Sequence, residues 1–306
     1  NRNHTIEYYK PESNFENLKN EICLKKTPVA LKRIKEISLK GFSPSSLETY
    51  IKNPKEYYFQ KLLNIKKEDV DESFASHKTI GLVFHETIEL LYKPFIGKHL
   101  EIKALKDSLL KVDKVLKNTF VRNKESFDSG KNLIIFEVIK SALKTFIQNE
   151  LQDIKSGSVI KILALEHQIK STLKLNQEAG VLVTGIIDRV DEKNGSVRII
   201  DYKTGLVSSS NLTIKDMGLI CKDPLRTKAM QLMCYAWMYY RGNNIKKISA
   251  GIISFRNLSN GLMGLKIKDS KSDFIEGSSV DRFEEELKSL IKEIMDPKID
   301  FIDSEI

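Results

Sequence analysis

Apolar positions recur at intervals of three and four along the first half of the chain, and at intervals near two along much of the second. Around "TIGLVFHETIELLY", Leu82, His85, Ile88, Glu89 and Tyr92 fall on one side of a helix. Residues 101–124 repeat the pattern, with Ile102, Leu105, Leu109, Val112, Leu116 and Phe120 inward and lysines outward. "LIIFEVIKSALKTFIQNEL" predicts a further amphipathic helix. Ahead of these, a helix starts within "SPSSLETYIKNPKEYYFQKLL", because Ser43 can cap it and Pro44 suits a first helical position. Pro54 then breaks or kinks it. Residues 1–42 carry lysines and short apolar runs without a sustained period and read as a partly ordered lead-in.

Near residue 158, runs of Val, Ile and Thr replace the helical period. "VIKILALEHQIK", "GVLVTGIIDRVDE" and "SVRIIDYKT" predict three consecutive strands. A helix containing "KAMQLMCYAWMYY" follows, then a strand in "KKISAGIISF", a weaker one near "GLMGLKI", and a last helix from about Val280 to Met295. Helices, then a meander, then helix and strand predict an α/β fold with a mixed sheet. Its helical part spans about residues 43–157 and its sheet core about 158–306.

A chain of 306 residues can bury a substantial core, and its 41% hydrophobic and 30% charged content is that of a globular protein. No apolar run approaches the roughly 20 residues needed to span a bilayer. No basic start leads into an apolar stretch, so the expected location is intracellular and cytoplasmic. The chain begins at Asn1 rather than Met, which fits a piece of something longer. Cys23, Cys221 and Cys234 are odd in number and widely spaced, so neither a disulfide framework nor a zinc knuckle is indicated. The net charge of +9 permits an anionic partner, but only nine of 50 basic residues are Arg, so a bias towards Lys explains much of it.

Asn194–Gly195 lies between the second and third strands and is a strong hairpin signal, because both residues tolerate the positive φ of a type I′ turn. With those two as the turn, Lys193 pairs with Ser196, and each pair further out keeps the same sum of residue numbers. Asp188 then stands opposite Asp201, and Asp191 opposite Arg198. Alternation places Ile186, Asp188, Val190, Val197, Ile199, Asp201 and Lys203 on one face. Opposed Cβ atoms are about 4.5–5.5 Å apart, where two like charges destabilise the pair. Among Ile and Val they also lose solvent, which raises the cost. Lys203 supplies one compensating charge, and a divalent cation between the carboxylates would supply the rest. An oxygen-rich site of this kind suits Mg²⁺ or Mn²⁺, the latter more so if an imidazole joins. The bland alternative is a solvated or salt-bridged patch on an exposed sheet face.

At these residues the chain resembles the PD-(D/E)xK nuclease superfamily, and within it the RecB-like and AddB-like nuclease domains. "GIIDRVDE" is similar to that group's G-x-x-D-R-x-D strand and "IIDYKTG" to its D-Y-K-T-G strand. "GLVFHE" resembles its G-x-x-x-H-E helix, and "QLMCY" its Q-x-x-x-Y helix. "SPSSLETYIKNPKEYYF" resembles its S-x-S-x-L-x-x-Y-x-x-C-P-x-x-Y opening segment. Each motif is weak alone; five in the family's order, over about residues 43–301, are strong.

The resemblance implies a restriction-endonuclease-like core, a mixed sheet flanked by helices with a helical N-terminal part, as one nuclease domain over residues 43–306. It implies metal-dependent hydrolysis of DNA, with Asp188, Asp201, His85 and the backbone carbonyl of Tyr202 holding Mg²⁺ or Mn²⁺. Lys203 would stabilise incipient hydroxide or neutralise charge on the transition state. Gln231 and Tyr235, four apart on a helix, would orient Lys203 or touch the substrate backbone. Glu166 is a candidate ligand acting through water, and Arg189 and Arg198 point to the other face towards Asp191. Many AddB-like members hold an iron–sulfur cluster through the Cys of the C-P pair and cysteines near the C-terminus. Here Asn53 precedes Pro54 and no cysteine follows Cys234, so no such cluster is expected.

The leading expectation is a DNA repair or recombination nuclease, an exonuclease rather than an endonuclease, acting as the C-terminal domain of a helicase-related chain or beside a separate helicase, without membrane attachment. The alternative is a catalytically inactive DNA-binding or scaffolding module. A complete set of His85, Asp188, Asp201 and Lys203 favours the first. A carboxylate-pair sugar hydrolase leaves Lys203 without a task.

Overall fold

In the computed structural model, β1 (Ile160–Lys174), β2 (Gly180–Lys193) and β3 (Ser196–Lys203) form an antiparallel meander. Asn194 and Gly195 turn β2 into β3 with φ of 52° and 79°, the left-handed pair that their residue types accommodate. The structure describes residues 23–65, 77–123, 130–177, 179–243, 245, 247–268, 270 and 272–303. β5 (Ile248–Ser254) joins β3 in parallel and β6 (Leu262–Gly264) joins β5 antiparallel, giving the order β1-β2-β3-β5-β6. β4 (Thr213–Ile214) and β7 (Lys266–Ile267) make a separate two-stranded sheet.

Helices cover both faces. Before the sheet come α1 (Pro28–Lys40), α2 (Pro44–Lys52), α3 (Pro54–Tyr57), α4 (His77–Tyr92), α5 (Ile102–Arg122) and α6 (Gly130–Lys155). α7 (Thr227–Gly242) connects β4 to β5, and α8 (Gly277–Met295) follows β7. One core joins α1, α2, α7 and α8 to the sheet through Ile34, Leu47, Trp237, Phe283, Ile199 and Ile252. The other joins α4, α5 and α6 through Phe84, Leu116, Leu143, Ile162 and Ile200. Each such side chain contributes roughly 1.5–3 kcal/mol by leaving water. The expected mixed sheet flanked by helices, a restriction-endonuclease-like α/β fold, is therefore present.

Ser43 caps α2 by accepting from the Ser46 N–H, and Pro44 occupies the first turn, as expected. Asn53 ends α2 and caps α3, accepting from the N–H groups of Lys55 and Glu56, so Pro54 starts a new helix. Residues 1–22 of the expected lead-in lie outside the described residues. Residues 28–40 form α1, whose buried Ala30, Ile34 and Ser38 recur every four residues. A stripe with only one large apolar residue is easily lost among lysines. Leu82, set on one side of α4 with His85 and Ile88, is 56% exposed, because Val83, Phe84, Ile88 and Leu91 fill the interface with the helical layer, and Ile102, expected inward at the start of α5, is 40% exposed. Among the described residues no helix is long and apolar enough to cross a membrane.

Candidate active site

Five elements converge at the end of the hairpin away from its turn. α4 brings His85, β1 brings Glu166, β2 brings Asp188, β3 brings Asp201 and Lys203, and α7 brings Gln231 and Tyr235. His85 Nδ1 lies 3.5 Å from Asp188 Oδ1 and 3.9 Å from Glu166 Oε1. These three residues offer ligand atoms within 4.8 Å of one another. Asp201 sits beside the trio rather than in it. Lys203 Nζ is 2.6 Å from Asp201 Oδ2, and Gln231 Nε2 donates to Asp201 Oδ1 at 3.3 Å.

The expected register holds from Lys193–Ser196 out to Arg189–Ile200, with Asp191 opposite Arg198. At the next position the ladder stops. Asp188 and Asp201 do not pair through their backbones; Asp188 Oδ2 instead accepts the Tyr202 N–H at 2.6 Å. The β1–β2 ladder is also interrupted there, between the pairs Leu165–Arg189 and His167–Ile187, and Glu166 has a φ of 44°. A non-glycine residue in that region is strained, and such strain clusters where side chains are aimed for chemistry. The simple alternation also breaks: Ile187 and Val190 are both buried, while Ile186 is 47% exposed.

Electrostatics follow from crowding three carboxylates around one imidazole and one ammonium. Burial opposes a charged His85, but its bonds to Asp188 and Glu166 and the field of Asp188 and Asp201 outweigh it and push the imidazole up to about 10. Burial pushes the Asp201 carboxyl up to about 6, with Lys203 opposing and Asp188 reinforcing the shift. Burial disfavours the Lys203 ammonium, yet Asp201 and Asp188 hold it above its ordinary value. Lys203 is therefore a cation at neutral pH.

Gln231 Nε2 also donates to Tyr235 Oη at 3.0 Å, so α7 presents a linked pair to Asp201. The Tyr235 ring lies over β2 because Gly185 has no side chain; a Cβ there would stand 2.8 Å from Tyr235 Cε1. This gives the glycine of the "GIIDRVDE" motif a physical task. α7 is held in turn by α8, with Trp237 Nε1 donating to Glu284 Oε2 at 2.8 Å and Arg241 pairing with Glu284 and Asp281. Lys228, three residues before Gln231, feels Glu48, Lys203 and Asp201, and burial lowers its ammonium below the ordinary value. Reading the sequence did not single it out, although it is the one charge between Thr227 and Tyr240.

Behind the site, Arg189 pairs with Glu150 at 2.7 Å and Asp191 at 2.6 Å. Arg198 Nε and an NH₂ group donate to Asp191 at 2.7 and 2.8 Å. Both arginines thus reach Asp191, as expected. Tyr202, buried between Asp201 and Lys203 in sequence, packs its ring against Phe146 and Phe255 on that side.

The model of the PD-(D/E)XK nuclease superfamily matches residues 41–305. The chain is 30% identical over 178 residues to one of the subunits of the ATP-dependent helicase/deoxyribonuclease of Clostridium acetobutylicum, covering 53% of this chain and 15% of that one. It is 27% identical over 179 residues to the like-named protein of Streptococcus agalactiae, covering 58% and 15%. An uncharacterized protein of Rickettsia conorii is 25% identical over 207 residues, covering 63% and 23%. The matched stretch thus spans less than a quarter of each of these relatives.

Proposed function

The chain belongs to the PD-(D/E)XK nuclease superfamily, and from that premise we propose that it hydrolyses DNA phosphodiester bonds with a bound divalent cation. The observation that carries this is the cluster itself: His85, Glu166 and Asp188 offer ligand atoms within 4.8 Å of one another, and the buried Asp201, paired with Lys203 at 2.6 Å, feels the charges of Asp188 and His85. Three carboxylates against one imidazole and one lysine leave a negative excess in a half-enclosed place, which a hard cation neutralises. Asp188, Asp201, His85 and the Tyr202 carbonyl would hold Mg²⁺ or Mn²⁺, with Glu166 at the rim. Bound there, the ion would draw charge from the phosphate and make a water easier to deprotonate.

The chain's own groups do the rest. Lys203, kept charged by Asp201, places a fixed positive charge where negative charge grows on the phosphate oxygens. Gln231 fixes the Asp201 carboxylate and the Tyr235 hydroxyl, so substrate contact and Asp201 share one support. His85 must give up its proton before it can serve as a ligand. No iron–sulfur centre enters the proposal, since Asn53 stands before Pro54 with its amide bonded to Asp303 Oδ1 at 2.7 Å.

The relatives' names support a role beside a helicase; we further propose that residues 43–306, after a lead-in at 1–42, act as a cytoplasmic nuclease domain of exonuclease type in DNA repair or recombination. Digestion of end-labelled linear and closed circular DNA in Mg²⁺, Mn²⁺ or EDTA tests this. We expect cutting of linear DNA only with metal, lowered about 10²–10³-fold or more by Asp201→Ala and Lys203→Ala. Equal cutting by wild type and both variants removes the assignment, and salt-sensitive binding without cutting supports the scaffolding module instead.

A further inference from the structure

A cleft of about 580 Å³ opens beside Tyr235, whose hydroxyl accepts from Gln231. Its floor is three consecutive β1–β2 pairs, Gln168–Ile186, Ile169–Gly185 and Lys170–Thr184. Those pairs begin two residues beyond Glu166 and Asp188, about 7 Å along the strands. Its wall is Ser43 to Ser45 at the start of α2, held against β2 by bonds between Phe42 and the backbone of Leu182 and Thr184. Hydroxyls, an amide, a lysine and apolar carbons line it. Among the described residues no carboxylate does, although three crowd the adjoining site.

That contrast discriminates among occupants. A basic peptide would find no acid to pair with. An extended chain of alternating sugars and phosphates finds Lys170 and hydroxyl donors for its phosphates and the exposed Ile186 for its apolar faces. Tyr235 links the two places: it lines the cleft, and its hydroxyl accepts from Gln231, which also donates to Asp201. We infer that this cleft holds the single DNA strand adjoining the phosphodiester that is cut, with Lys170, Ser45 and Thr184 contacting its backbone; the inference rests on the nuclease reading of the neighbouring site.

Binding of a fluorescein-labelled oligodeoxythymidylate, followed by anisotropy in EDTA at several salt concentrations, tests the cleft without requiring any cutting. Lys170→Glu is expected to weaken binding about tenfold and to lower the slope of log Kd against log salt by about one. Thr184→Val and Ser45→Ala are expected to act in the same direction. Lys174→Glu, the same charge change on an exposed β1 residue outside the cleft, should move Kd less than about twofold. Equal losses for the Lys170 and Lys174 variants, no loss in either, or no binding by wild type at low salt each overturns the cleft. Metal-dependent cutting with Lys170-independent binding sinks this inference alone. Lys170-dependent binding with no cutting in any metal sinks the nuclease reading and leaves the cleft standing.

Discussion

Asp201 and His85 bind protons more tightly in the folded chain than they would unfolded, Asp201 chiefly because it is buried and His85 because Asp188, Glu166 and Asp201 outweigh the burial that opposes its charge. The sign of the consequence is the same for each. A group whose folded pKa is raised contributes stability that is complete below its unfolded pKa and is lost as pH climbs through the folded one. Asp201 therefore gives up its contribution between about pH 4 and about 6, and His85 between about 6.5 and about 10. In EDTA, the difference in urea midpoint between wild type and His85→Gln is expected to shrink as pH rises from 6.5 to 10; a constant difference would contradict the charged imidazole. Metal acts in reverse, because its ligands must be deprotonated, so the stabilisation that Mn²⁺ adds should grow over the same range. At this scale a local turn made the register readable as far as Arg189–Ile200, which brings Asp188, Asp201 and Lys203 to one end of the hairpin, but the expected direct opposition of Asp188 and Asp201 is not found. Glu166 was only a weak candidate, since its aim depends on a positive φ in the middle of a strand, which no residue type announces.

Elements carry the site through contacts made on the side away from it. Arg189, within the motif strand β2, is fully buried between Glu150 on α6 and Asp191, and Tyr92 of α4 donates to Glu150 Oε2 at 2.5 Å. This network ties the helical layer to the strand that holds Asp188. Arg189→Met removes the cation shared by two buried acids and is expected to cost about 3–5 kcal/mol. Urea unfolding with an unchanged m-value would show it, and a loss under 1 kcal/mol would argue against the network. The strands and most helices were readable because their periods are strong. The end of the hairpin ladder at Asp188 was not, because it requires a side chain to displace a backbone pair. Lys228 was hidden for a related reason: its relevance depends on how α7 crosses β3, a long-range matter that spacing along one helix does not reveal.

Across the whole molecule, the described ends are joined by side chains widely separated in sequence. Leu24 pairs with Phe301, whose ring stacks on Tyr57 at 6.2 Å between centroids. Asp303 takes Asn53 on one oxygen and Lys55 on the other, both at 2.7 Å, and Lys26 Nζ donates to the Glu293 and Asp296 carbonyls at the end of α8. Phe301→Ala should lower stability by about 3–5 kcal/mol as a cavity opens among Tyr50, Tyr57 and Tyr58, measured by chemical denaturation. A change below 1 kcal/mol would mean that this junction does not support the fold. This closure frames the α2–α7 side on which the candidate site depends, where the crowded carboxylates call for a cation. Titration of Mn²⁺ into the metal-free protein, followed by calorimetry, tests that most directly. The expected result is saturable binding accompanied by proton release near neutral pH, weakened about a hundredfold or more in Asp188→Asn and Asp201→Asn variants that remain folded. Binding of equal strength in wild type and both variants, or none in wild type, would contradict it.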